Sequence, residues 1–162
     1  MKTMKVGVGG GCHWCTEGVF QSVHGVKTVK QGWISSEAPY KEWSEGVEIT
    51  FDPLLVDLPL LIAIHLYSHS CTSDHAFRQK YRSAIYYFNE EQKEISKSAL
   101  IALQPDFDQP IVTKVIPFID FRLNTAQFLD YYTKNPELPF CTNYIKPKLN
   151  ALKERFQKQM VN

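Results

Sequence analysis

The sequence predicts an α+β fold, a mixed β-sheet with helices packed on it, formed as one domain over its 162 residues. Three observations predict it. A short apolar strand at 5–9 runs through glycines into a helix at 16–23, where Val19, Phe20 and Val23 share one side. Residues 45–52 alternate apolar and polar side chains, the period of a half-buried strand with Val47, Ile49 and Phe51 inward. Near the C-terminal end, Ile145, Leu149, Leu152 and Phe156 form one stripe opposite Lys146, Lys153 and Arg155, as on an amphipathic helix.

The elements between these follow in order. Gly25 closes the first helix, and 26–34 reads as a strand. A helix is expected over 58–69 with Leu61 and Ile64 inward, and 81–88 reads as extended. Asn89 caps a further helix whose first turn holds Glu90 and Glu91, where the helix dipole favours acidic groups. A strand at 111–116 and a helix near 125–132 complete the set. Helices and strands interleave, and some strands lie close enough in sequence to pair antiparallel, so the sheet is mixed. No repeat, low-complexity tract or Pro/Gly linker marks a domain boundary.

Composition narrows the function. Hydrophobic residues make up 44% and charged residues 22%, globular proportions that exclude extended disorder. The formal net charge of +1, with both signs scattered, selects for neither nucleic acid nor an anionic membrane. The N-terminal stretch is too short in apolar residues for a signal-peptide core, and no later stretch is long enough to span a membrane, which predicts a cytoplasmic protein. Four cysteines in such a chain point to thiol chemistry or metal binding rather than a disulfide framework.

Chemistry concentrates in the segment GGGCHWC. Gly9, Gly10 and Gly11 let the backbone turn sharply before Cys12 and leave its thiol at a helix start. Unpaired amides and the helix dipole there stabilise a thiolate, the nucleophilic form. The bland alternative is a glycine turn with a small buried cysteine.

GGGCHWCTEGVF resembles the active-site segment of the A-class peptide methionine sulfoxide reductases. GVEITFDP, KYRSAIYYFNEEQK and YYTKNPELPFC resemble later blocks of that family in the same order, over nearly the whole chain. The resemblance implies the family's α+β fold with a ferredoxin-like core, no cofactor, and thiol-dependent reduction of methionine-S-sulfoxide, protein-bound or free. It further implies Cys12 as the nucleophile, forming a sulfenic acid.

Such an attack requires an acid for the sulfoxide oxygen. Glu45 matches the family's acidic residue and shares parity with Val47, Ile49 and Phe51, so its carboxyl is expected on the apolar side, where desolvation raises its pKa. Tyr81 matches a tyrosine that hydrogen-bonds the oxygen, a suitable task for an uncharged phenol. Trp14 is expected as a wall for the substrate methyl group. Cys141, after NPELPF, matches a recycling cysteine, and its Pro-containing surroundings suggest a loop free to approach Cys12. The disulfide so formed would be reduced by thioredoxin or a similar dithiol. Cys15 competes for the resolving role through its CxxC spacing to Cys12.

Three positions depart from the family pattern. His13 replaces an aromatic apolar residue and makes the pocket wall more polar, and Trp33 replaces a tyrosine that would help polarise the oxygen. A family aspartate falls on Ala76, with Asp74 nearby, so that role is not carried over. His65 and His69, four apart on a helix, could with Cys71 and His75 ligate zinc, but loose spacing and the match of His69 to a structural histidine favour isolated histidines, and no metal is expected. Two other functions compete: a general thiol–disulfide oxidoreductase running on Cys12 and Cys15, and a non-catalytic zinc- or peptide-binding descendant of the fold.

Overall fold

The computed structural model describes residues 2–161. Its strands are β1 (Met4–Gly9), β2 (Val26–Ser35), β3 (Ser44–Phe51), β4 (Ala84–Tyr87), β5 (Lys114–Pro117) and β6 (Asp120–Leu123). Its helices are α1 (His13–Gln21), α2 (Leu58–Ser68), α3 (Glu90–Leu103), α4 (Tyr131–Lys134) and α5 (Lys146–Arg155). The six-stranded sheet has the order β5-β4-β1-β3-β2-β6. Its centre, β4-β1-β3-β2, is built from the succession β1-α1-β2-β3-α2-β4 with antiparallel neighbours, the ferredoxin-like arrangement. β5 adds parallel to β4 and β6 antiparallel to β2, so the sheet is mixed.

Alternation explains the packing. Val6 and Val8 of β1 and Val47, Ile49 and Phe51 of β3 are buried in one cluster with Val19 and Phe20 of α1 and Leu61, Ile62 and Ile64 of α2. Each such side chain contributes about 1.5–3 kcal/mol by leaving water. Ile34, Ala84, Tyr86 and Ile116 form a smaller cluster elsewhere in the sheet. Asp57 and Asn89 cap α2 and α3, each accepting at 2.9 Å from an amide three residues on.

Several expectations shift. α1 starts at His13 rather than residue 16, so Cys12 itself is its cap. The extended stretch expected from residue 81 pairs only from Ala84, and β6 was not anticipated. The helix expected over 125–132 breaks into a 3-10 turn at Ala126–Phe128 and the short α4, because Asp130 between them is left-handed at φ 55°. The last helix is preceded by a π-helical turn at Cys141–Ile145. Among the described residues, no helix is long and apolar enough to cross a membrane.

Candidate active site

The glycine turn delivers Cys12 to the N-cap of α1, with φ −58° and ψ 128°. Its carbonyl accepts the Cys15 and Thr16 amides at 3.1 and 3.2 Å, and the Trp14 amide donates to its sulfur. Gly10 is required because the His69 ring stands where a Cβ would go. That ring donates from Nδ1 to the His65 carbonyl and accepts from the Ser83 hydroxyl at 2.8 Å, while His65 donates to the Gly9 carbonyl at 2.9 Å. Burial lowers His69 to about 4 and His65 well below the imidazole range, so both rings are neutral supports of the turn. Arg78 donates to the Gly10 and Tyr81 carbonyls at 2.8 and 2.9 Å, joining the turn to the segment before β4.

Cys12 is half-buried and shares a hydrogen bond with the buried Cys15. That bond is the largest influence on both: it lowers Cys15 to about 7, against burial, and together with burial raises Cys12. The thiolate expected on Cys12 alone is thus a property of the pair, which gives up one proton readily and keeps the other. Moving the retained proton across the bond places the charge on Cys12, where the Trp14 amide stabilises it.

Cys141 is not on a free loop. It lies in the π-helical turn with no exposed surface, drawn into the core by Ile145 and Leu149 behind it. Burial, then the charge of Cys15, pushes its thiol up.

Glu45 closes the other side. Its backbone N–H donates to the Lys80 carbonyl at 2.9 Å, and the Ser44 hydroxyl donates to that carbonyl at 3.0 Å while accepting the Arg82 amide at 2.7 Å. These bonds stitch the segment carrying Tyr81 to the start of β3. The buried Glu45 carboxyl accepts the His13 amide at 3.2 Å, beside Cys12, and its other oxygen lies 3.6 Å from Lys80 Nζ. Its surroundings are therefore polar rather than the apolar face expected. Lys80 also sits 5.0 Å from the centre of the half-buried Tyr81 ring, so it links Tyr81 to Glu45.

Trp33 pairs with Glu45 across the β2–β3 ladder and meets the His13 ring edge-on at 5.1 Å. Trp14 stacks on Tyr131 at 4.2 Å and 9°, with Phe128 at 5.5 Å and the Phe140 edge at 5.2 Å. His13, expected beside it in the pocket wall, is only 5% exposed, and its ring is directed to Gly32, Glu45 and Asn124. Asp74 remains exposed, as does Ala76.

Lys80, Asn124, Gln31 and Glu17 were not singled out from the sequence. The only signal for Lys80 is its place beside Tyr81; the others are polar residues whose burial depends on the fold. Gln31 accepts from Asn124 at 2.6 Å and donates to Glu17 at 2.9 Å, extending a buried polar chain behind His13.

A nucleophile at a helix start, a partner thiol and a carboxyl beside them suit two-electron reduction of an oxidised sulfur. A family model described as peptide methionine sulfoxide reductase matches residues 4–160. The chain is 32% identical over 164 residues to the peptide methionine sulfoxide reductase MsrA of Thermus thermophilus, covering 91% of this chain and 92% of that protein. Its fold is similar to that of methionine sulfoxide reductase A of Corynebacterium diphtheriae, with a TM-score of 0.73, 22% identity and coverage of 85% and 78%. It is similar also to that of Mxr1 from Saccharomyces cerevisiae in complex with Trx2, with a TM-score of 0.62, 18% identity and coverage of 80% and 85%.

Proposed function

The chain belongs to the peptide methionine sulfoxide reductase family, and from that premise we propose which of its residues carry the reaction. The enzyme reduces methionine sulfoxide to methionine by thiol chemistry. The observation that carries the residue assignment is the Glu45 carboxyl bonded at 3.2 Å to the His13 amide, one residue from Cys12. It supports a site in which nucleophile and acid meet the same S–O group.

In this reading the Cys12 thiolate attacks the sulfoxide sulfur while a proton passes from Glu45 to the oxygen. The S–O bond breaks, the hydroxyl ends on Cys12 as a sulfenic acid, and methionine leaves. The substrate sulfur gains two electrons and the Cys12 sulfur loses two. Tyr81 donates to the oxygen, and Trp14 and Trp33 wall the site. The Cys15 thiol then attacks the Cys12 sulfur; hydroxide leaves, takes the thiol proton as water, and a Cys12–Cys15 disulfide remains. Cys15, on the first turn of the helix that Cys12 caps and titrating together with it, is favoured for this step over Cys141, which is held with no exposed surface in the π-helical turn. Cys141 would follow only after its turn opens. This reverses the order expected from the sequence.

The yeast relative Mxr1 is known in complex with Trx2, and thioredoxin or a similar dithiol is the proposed reductant here. Free and protein-bound methionine-S-sulfoxide are the proposed substrates, handled by one catalytic domain in a cytoplasmic setting that keeps the four cysteines reduced.

The test is reduction of each methionine sulfoxide epimer with dithiothreitol by wild type, Cys12→Ser and Glu45→Gln. Turnover of the S epimer alone, abolished in the first variant and lowered about 10²-fold or more in the second, is expected. Absence of turnover by folded wild type overturns the assignment.

A further inference from the structure

Resting on the roles assigned above to Cys12 and Glu45, we propose that His13 and Glu45 act as one proton-sharing pair, with His13 the positioning residue that keeps a proton at hand for the sulfoxide oxygen.

The tautomer of His13 is set by its surroundings. Its Nδ1 lies 2.8 Å from the Gly32 carbonyl, an acceptor only, so Nδ1 carries a hydrogen in every charge state. Nε2 therefore presents a lone pair when the ring is neutral. Nε2 is 3.5 Å from Glu45 Oε1. A lone pair facing a carboxylate repels it, so the contact is favourable only with a proton between them. Imidazolium with carboxylate meets that condition, and so does neutral imidazole with carboxylic acid. Asn124 Nδ2 lies 3.4 Å from the same nitrogen, oriented by its 2.6 Å bond to Gln31 Oε1. That amide can donate to the ring only when Nε2 is unprotonated, so it stabilises the neutral imidazole left after the proton has moved on. His13 and Glu45 are 5% and 6% exposed, so water is a poor substitute for either partner.

The charged neighbours come from each packed element. On α1 stand the Cys12 and Cys15 thiols, both sensing Glu45, and α5 contributes Lys148, which acts on Cys15. The segment before β4 contributes Lys80, against Glu45 and Tyr81. β2 presents the Gly32 carbonyl and the Trp33 edge, and Arg122 of β6 is engaged over the Trp43 ring at 4.7 Å. Burial lowers the basicity of His13 and Glu45 opposes it, as suits a ring that passes its proton on.

During reduction the Glu45 proton goes to the sulfoxide oxygen and becomes the sulfenic hydroxyl hydrogen. That proton reaches Glu45 from His13 Nε2, so neutral imidazole is left beside carboxylate. The pair has then lost one proton, which solvent restores between turnovers.

The experiment follows the single-turnover rate of pre-reduced enzyme with methionine-S-sulfoxide from mildly acid to mildly alkaline pH, for wild type, His13→Phe and His13→Gln. The alkaline fall should move down by about one pH unit or more in both variants, with about a tenfold loss at the alkaline end and little change in substrate KM. Profiles superimposable on wild type overturn the pair. A second measurement needs no His13 variant: the 15N shift of the His13 ring is titrated in wild type and Glu45→Gln. Its titration should move to lower pH when the carboxylate is removed, and an unmoved titration overturns the pair. If wild type reduces neither epimer, the assignment of the reaction fails and the NMR arm alone decides the pair.

Discussion

Glu17 Oε2 accepts the backbone N–H of Asp130 at 2.9 Å, a bond between residues 113 positions apart that fastens α4 beneath α1. Asp130 is left-handed, and Glu17 Oε1 takes the next amide, Tyr131, at 3.1 Å as well as the Gln31 side chain. The aromatic face stacked on Trp14 is therefore seated by one buried carboxylate.

Glu17→Gln should destabilise the fold by about 1–3 kcal/mol, because one side-chain oxygen becomes an NH2 that cannot accept the Asp130 or Tyr131 amide. The penalty depends on pH with a definite sign. Burial raises the Glu17 pKa in the folded protein, against the bonds from Asp130, Gln31 and Tyr131. Between the unfolded and folded values the folded state binds more protons, so the contribution is full below the unfolded value and is lost as pH rises through the folded one. Urea unfolding of both proteins along a pH series should show the difference largest in acid and shrinking toward neutrality. A difference that grows with pH would contradict the role of burial.

The thiol pair makes a separate prediction. Wild type treated with one equivalent of sulfoxide and no reductant should yield a Cys12–Cys15 disulfide by peptide mapping. Cys15→Ser should instead accumulate the Cys12 sulfenic acid, while Cys141→Ser should leave the first disulfide unchanged. Alkylation by iodoacetamide should rise with pH through about 7, set by the lowered Cys15. In Cys15→Ser that rise should move up to the ordinary thiol range. A Cys12–Cys141 disulfide as the first product would restore the role that the sequence suggests for Cys141.

Local periodicity was legible where one face meets the core. Val47, Ile49 and Phe51 lie in it as their alternation predicts, and the Asn89 cap is bonded as its sequence suggests. The position of Cys12 at a helix start was also legible, because glycines before a helix have few other uses. What escaped were features decided by distant contacts. The Cys141 turn looks like a loop because PELPF carries loop residues, yet Ile145 pulls it inward. His13 looks like a pocket residue by its place beside Cys12, but the Gly32 carbonyl across the sheet captures its ring. Glu17 and Gln31 carry no signal in the sequence, because their burial arises only when β2 packs on α1 and α4 closes over Glu17.

Lys80 gives a prediction opposite in sign to that for His13. Its ammonium lies 3.6 Å from Glu45 Oε2, and the neighbouring Tyr81, then the Glu45 carboxylate, push its pKa up and keep it protonated. Its charge lowers the hold of His13 on a proton. Lys80→Gln removes that charge and keeps a hydrogen-bonding side chain, so the His13–Glu45 pair should retain its proton to higher pH. The alkaline fall in the single-turnover rate should move up, whereas His13→Phe moves it down. Because the Lys80 side chain is 63% exposed, water and salt screen its charge, and the shift should be roughly half a pH unit. Added salt should produce a smaller shift in the same direction in wild type and almost none in Lys80→Gln. A downward shift in Lys80→Gln would mean that Lys80, not the buried pair, delivers the proton to the sulfoxide oxygen.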